Sequence, residues 1–198
     1  MRYLPVSIDT RDKKILVVGG GQVAYRKVKS LLPTEFSIDI VSSSFIDDFK
    51  NLQANPRLSF IWKKVDSDFV LDSYDYLLIA TDSKTANEIL EAKAREKKIP
   101  FLNASKSENS DFIMTKLVAS EDLTISLSSG GKNPALLGII AKDLEELIRN
   151  IDQEKISALN DLRQKLKDQG EKNIGSIIVD LYKKPLADIK KYGEENCK

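Results

Sequence analysis

The chain contains no histidine. Imidazole is the commonest general base near neutral pH and the commonest metal ligand. Its absence excludes Ser-His-Asp and Cys-His hydrolase chemistry, and any bound metal would depend on carboxylate, hydroxyl or substrate oxygens. No metal site is therefore expected. Cysteine is almost as scarce: Cys197, one residue from the end, is the only one, so no internal disulfide can form. No apolar run approaches the ~20 residues of a membrane-spanning helix. The opening Met1-Arg2-Tyr3-Leu4-Pro5 meets charge by Asp9, without a signal-peptide core. Nor is there an excess of one charge. With 31 basic and 30 acidic residues, no strong pull towards nucleic acid or an anionic membrane arises. These absences lead to the expectation of a soluble, cytoplasmic protein without a nucleic-acid or membrane partner.

What is present begins with Gly19-Gly20-Gly21, placed directly after the apolar run Ile15-Leu16-Val17-Val18 and before an amphipathic stretch starting near Gln22. A parallel strand handing over to a helix has this form. The pattern Gly19-x-Gly21-x-x-Ala24 is a dinucleotide fingerprint with Ala at the third glycine position. The first glycine permits the tight turn, the second lets a pyrophosphate approach bare backbone, and the small third residue lets helix and strand pack closely. Unpaired N–H groups and the helix dipole then favour an anion. A tight turn without a ligand is the plain alternative.

Strand and helix alternate through the first part of the chain. Strands are expected at 13–18, 36–41, 57–62, 76–80 and 100–103, with helices at 22–32, 45–53 and 84–97. Alternation of this kind predicts an α/β, Rossmann-like, doubly wound parallel sheet. After about Asn109 the character changes. Residues 112–118 and 123–128 read as strands with no helix between them, an antiparallel extension. Asn133 and Pro134 suit the N-cap and first position of a helix that carries Leu136, Leu137, Ile140, Leu144, Leu147 and Ile148 at helical spacing. From Asp152 onwards two or three short helices are expected, with breaks near Gly170 and Pro185. This tail holds ten basic and nine acidic residues, a mixed solvated surface. The predicted organisation is a dinucleotide-binding domain over 1–110, a small α+β segment over 111–150 and a helical domain over 151–198.

Several residues are placed to carry chemistry. The acid that binds the adenine ribose normally ends the second strand; here Ser42-Ser43-Ser44 falls there and Asp39 lies inside the strand. Serine hydroxyls can bond a ribose or tolerate a phosphate, so NAD and NADP both stay open, as does a simple turn. Thr81 follows the fourth strand at the ligand-binding edge, and Asp82 is either exposed there or the cap of the next helix. Ser128-Ser129-Gly130-Gly131 can form a nest of N–H groups for a carboxylate or phosphate, or merely turn the chain into a helix.

Taken together, Leu4-Pro5, the stretch from Val17 to Lys27, Ala80-Thr81-Asp82, Asn103, Phe112-Ile113-Met114 and Ser128-Ser129-Gly130-Gly131-Lys132-Asn133-Pro134 resemble the precorrin-2 dehydrogenase family, the oxidase module of siroheme synthase. The resemblance covers essentially the whole chain. It implies NAD-dependent oxidation of precorrin-2 to sirohydrochlorin, with ferrous iron insertion in some members, by a stand-alone homodimer whose central segment dimerises. Carried over by position, Gln22 and Val23 meet the pyrophosphate beside the fingerprint residues Gly19, Gly21 and Ala24, and Ser43 and Ser44 the adenosine side; the nicotinamide is expected over the sheet's carboxyl edge near Thr81 and Asn103. Ser129, Gly130, Gly131 and Lys132 line the tetrapyrrole cleft. One departure matters: many members carry an Asp shortly after the residue matching Asn103, where this chain has Lys106. Asp111 is the substitute catalytic carboxylate, or it only starts a strand. The missing Asp and the lack of histidine point to a separate chelatase. A bifunctional dehydrogenase-chelatase and a non-catalytic NAD-sensing module are the competing readings.

Overall fold

In the computed structural model, which describes residues 2–130 and 132–196, the apolar run before the glycines is a strand, β1 (Lys14–Val18). Its last four residues are all buried, as in a parallel strand covered on both faces. Ser37–Ser42 (β2), Leu58–Trp62 (β3), Tyr76–Ile79 (β4) and Phe101–Asn103 (β5) complete a sheet in the order β3-β2-β1-β4-β5, and every pairing is parallel. The order reverses between β1 and β4. Their carboxyl ends therefore bound the crevice in which open α/β sheets take ligands. The Rossmann-like α/β class read from the sequence is the observed one.

Successive residues of β1 face opposite sides of the sheet. Ile15 and Val17 pack with Ala24, Val28 and Leu31 of helix α1 (Gln22–Leu31). Leu16 and Val18 pack with Ala86, Leu90 and Ala94 of helix α2 (Lys84–Glu96). Each helix repeats its buried residues at three- and four-residue steps, which aligns them on one face. Truncating a leucine such as Leu16 or Leu90 to alanine would cost about 2–5 kcal/mol.

The crossovers differ from expectation. The helix expected over 45–53 is a shorter 3-10 segment, Asp47–Leu52. Ile46 donates its N–H to the Gly20 carbonyl at 2.9 Å and stays extended, so winding starts only after it. Phe45 then sets its ring edge-to-face against Phe49, Phe60 and Trp62, at centroid separations of 5.4, 5.6 and 5.0 Å. The connection from β3 to β4 is a loop whose Val65, Phe69 and Leu71 fill the core. The strand expected over 112–118 begins only at Lys116. Phe112 and Met114 instead pack on the sheet face, Phe112 with its ring 5.9 Å from that of Tyr76. A short apolar run that packs on a face without a pairing partner reads like a strand in sequence.

The described chain divides into two units. The first runs through Met114 and takes in Gly130 and Lys132; the second comprises Thr115–Ser129 and the chain from Asn133 onwards. In the second unit, β6 (Lys116–Ala119) and β7 (Thr124–Leu127) pair antiparallel, and helix α3 (Pro134–Arg149) packs on β6 around Val118, Ala141 and Ile148. Asn133 caps α3 by accepting from the Leu136 N–H at 3.0 Å. Helices α4 (Gln153–Asp168), α5 (Ile174–Tyr182) and α6 (Leu186–Asn196) follow, joined through Leu159, Leu162, Leu166 and Ile189. Among the described residues no helix is long and apolar enough to cross a membrane.

Asp75, at the entry to β4, fastens two strands. Its carboxylate accepts from the Lys14 N–H at 2.8 Å and pairs with Lys13 Nζ at 2.9 Å. The backbone bond first, and then Lys13, hold this carboxyl below the ordinary aspartate range. A group whose folded pKa is depressed stabilises the fold above its unfolded pKa and loses that contribution as pH falls through the folded value. Thermal melts of Asp75→Asn should therefore lose less Tm than the parent as pH is lowered from about 4. An unchanged acid limb would show that this anchor does not contribute.

Candidate functional site

The ends of β1, β2 and β4 meet at the first glycines. Gly19 N–H donates to the Val41 carbonyl at 2.8 Å, and Ala80 N–H donates to the Val18 carbonyl at 2.7 Å. Gly19 has φ +135°, a conformation L residues seldom adopt, and a Cβ on it would lie 2.2 Å from the Ala80 carbonyl oxygen. A Cβ on Gly20 would lie 1.9 Å from the Ser44 carbonyl oxygen. Gly21 is different: it caps α1 at φ −92°, and a Cβ there would meet nothing within 4 Å among the described residues. The protein itself requires the first two glycines, while the third faces open space.

The start of α1 is arranged for an anion. It has no side-chain cap and no acidic residue in its first turn, and the bond from Tyr25 N–H to the Gly21 carbonyl at 3.0 Å is the first to close a turn. The amides of Gln22, Val23 and Ala24 therefore stand at the positive end of the helix dipole. Ala24 is buried beside Gly19, where only a small side chain fits. Gln22 is exposed and donates to the Asp48 carboxylate at 2.8 Å, and Val23 is exposed.

Beside this turn lies a cavity of about 120 Å³, lined among others by Gly19, Ser42, Ser43, Lys63, Thr81 and Ser83. Of the two serines expected on the adenosine side, Ser43 lines it. Ser44 is exposed and does not line it; its backbone N–H donates to Ser42 Oγ at 3.4 Å. Asp39 is 7% exposed, accepts from the Tyr74 hydroxyl at 2.8 Å and lies 2.8 Å from Lys14 Nζ. Burial and then the bond to Asp39 push the Tyr74 hydroxyl well above its ordinary range. Thr81 Oγ1 accepts from the Ser83 N–H at 3.1 Å. The cap of α2 is Ser83, which accepts from Ala86 N–H at 3.3 Å. Asp82 is therefore not the cap and is exposed at the edge.

Two expected residues are turned elsewhere. Asn103 is 1% exposed: its Oδ1 accepts from the Ser105 N–H at 2.8 Å and the Lys106 N–H at 3.3 Å, and its Nδ2 donates to Glu91 at 2.6 Å. It shapes the loop after β5 from within. Asp111 meets the opposite end of that strand, its carboxylate accepting from the Phe101 N–H at 3.1 Å. The carboxylate expected to serve as a catalytic group is thus bonded at the amino edge of β5, apart from the glycine turn. In the second loop, Ser129 Oγ accepts from the Asn133 N–H at 3.0 Å, Gly130 adopts φ +63°, and Lys132 is exposed. Gly131 lies outside the described residues. Sequence reasoning named Gly20 without a role of its own and Ser42 only as part of the serine run ending the second strand, and it missed Lys63, for which spacing offers no signal.

A family model described as "Putative NAD(P)-binding" matches residues 6–116. The chain is 32% identical over 148 residues to the siroheme synthase of Vesicomyosocius okutanii, covering 75% of this chain and 32% of that protein. It is likewise 32% identical over 149 residues to siroheme synthase 2 of Pectobacterium atrosepticum, with the same coverage of 75% and 32%. The chain thus spans about a third of the length of these relatives. Among solved structures, "SirC, precorrin-2 dehydrogenase" superimposes with a TM-score of 0.73 at 20% identity, covering 98% of each chain; this likeness is one of fold.

The unequal roles of the glycines are measurable. Gly20→Ala drives a Cβ into the Ser44 carbonyl and should cost about 1–3 kcal/mol or more in denaturant melts. Gly21→Ser enters open space with a good capping residue and should change stability by less than about 0.5 kcal/mol. Equal losses would mean that Ser44 gives way freely.

Proposed function

The chain belongs to the NAD(P)-binding family, and from that premise we propose that it binds NAD at the 19–24 turn and oxidises precorrin-2 to sirohydrochlorin in siroheme biosynthesis. The observation that carries this reading is the open space over Gly21 at an uncapped helix start whose own first turn holds no acidic residue. The names of the similar siroheme synthases and the shared fold of a precorrin-2 dehydrogenase supply the substrate class.

The residues fit a dinucleotide: bare backbone, three amides and a small Ala24 at the diphosphate, with hydroxyls beside it. When bound, NAD would supply the oxidant for a dehydrogenation in which the substrate gives up one hydride and, separately, one proton. The chain's own part is binding and orientation. The amides of Gln22, Val23 and Ala24 hold the diphosphate against Gly19 and Gly21, and Ser43 and Ser44 hold the adenosine side. Thr81 meets the nicotinamide side directly, and Asn103 acts there through the loop it braces. Ser129, Gly130, Gly131 and Lys132 take substrate carboxylates, Lys132 as the cation. The proton leaves to water, and Asp111 keeps an anchoring role at the amide of Phe101. Metal insertion falls to a separate chelatase, in keeping with a chain that lacks histidine. The setting is cytoplasmic.

The assembly in this reading is a homodimer. Helix α3 buries one apolar side on β6, while Leu136, Ile139 and Leu147 are 47%, 62% and 56% exposed. An apolar face of that kind suits a second copy of the chain.

Purified protein with NAD should convert precorrin-2 to sirohydrochlorin. Gly21→Asp should melt like the parent yet bind NAD at least about tenfold more weakly, because its carboxylate enters the diphosphate position. Conversion that needs no nicotinamide cofactor, or unchanged NAD affinity in Gly21→Asp, would sink the reading. For the assembly, Ile139→Asp should shift the mass in solution from dimer to monomer; an unshifted mass rules out this face.

A further inference from the structure

Dinucleotide sites that exclude a 2′-phosphate end their second strand in a carboxylate, which binds the ribose 2′-hydroxyl and repels a phosphate there. Here β2 ends at Ser42 and Ser43 follows. The strand's only acid, Asp39, is buried and shared between Tyr74 and Lys14, short of the strand's end. The cavity at this end is lined by Ser42, Ser43, Lys63 and Lys64, and among the described residues no carboxylate lines it.

Lys63 directly follows β3, and its N–H donates to the Ser42 carbonyl at 3.1 Å, which holds the two strand ends side by side. Its ammonium lies 5.6 Å from the centroid of the Phe69 ring, a partner that leaves the positive charge available to an anion. Neither Lys63 nor Lys64 forms an ion pair among the described residues. Two hydroxyls and two unneutralised cations thus line the ribose end of a site whose helix start already favours a phosphate.

We propose that this cavity takes the 2′-phosphate of NADP, so that the chain binds NADP as well as NAD, with Lys63 and Lys64 as the specificity-determining residues. The proposal rests on the 19–24 turn being a dinucleotide site. A 2′-phosphate placed between Ser43 and the two lysines accepts charge-assisted hydrogen bonds from them, which a bare 2′-hydroxyl does not elicit. The affinity for NADP relative to NAD should therefore fall as salt rises.

The test is calorimetric titration of the full chain with NAD and with NADP, repeated on the Lys63→Glu/Lys64→Glu double variant. The expected result is an NADP Kd less than about tenfold above that for NAD in the parent, and a ratio of NADP to NAD Kd that rises at least about fivefold in the variant. The ratio compares both cofactors on one sample, so partial loss of folded protein does not move it. A parent that binds NAD but binds NADP tenfold or more weakly overturns the proposal, as does a smaller rise in the variant; the NAD reading then stands. Failure of both cofactors to bind overturns the proposal and the reading beneath it.

Discussion

Two peptide groups, at Gly19 and Gly20, pass so near the carbonyls of Ala80 and Ser44 that neither position can carry a side chain. This close approach joins three strand ends. Val41 of β2 accepts from Gly19, Ala80 beyond β4 donates to Val18, and Ile46 beyond β2 donates to Gly20. The position of α1 follows from it, since the helix starts as soon as the constrained backbone ends. So does the open space at Gly21, because the chain has nowhere else to place its first free amides. The cavity between the ends of β2 and β3 borders the same loop.

Much of this was legible in the amino-acid order. After Lys14 and Tyr76 at their starts, strands β1 and β4 are short apolar runs buried on both faces, with no polar residue to disguise them. The cap at Asn133 and the breaks at Gly170 and Pro185 could also be read, because they depend on residues adjacent in the chain. The connections could not. The 3-10 segment after β2 is set by the Ile46–Gly20 bond, which links residues far apart in sequence. Phe112-Ile113-Met114 is an apolar run like that of a strand, but Phe112 and Met114 pack half-buried against a face instead of pairing.

The site shows the same division. The spacing of Gly19, Gly21 and Ala24 marks a strand-to-helix turn, and the structure places those residues there. The part Gly20 plays could not be read because its constraint comes from the carbonyl of Ser44. Lys63 escaped notice because β3 comes alongside β2 only in the folded sheet. Side-chain direction was equally hidden. Asn103 and Asp111 have the right chemistry for a site, yet the first is spent on Glu91 and its own loop, and the second on the amide of Phe101. Which groups a polar residue satisfies is decided by neighbours that a linear chain does not display.

Trp62 ends β3, opposite Ser42 in the register and one residue before Lys63. It is the chain's sole tryptophan, 62% exposed, and steadied on one side by the Phe45 ring. Indole emission depends on the water around the ring, so its colour and intensity report on whatever displaces that water. It also overlaps the absorption of a reduced nicotinamide, which permits energy transfer over nanometre distances. The protein thereby carries a built-in optical reporter at the end of β3, with no dye to attach and no second indole to confuse the signal.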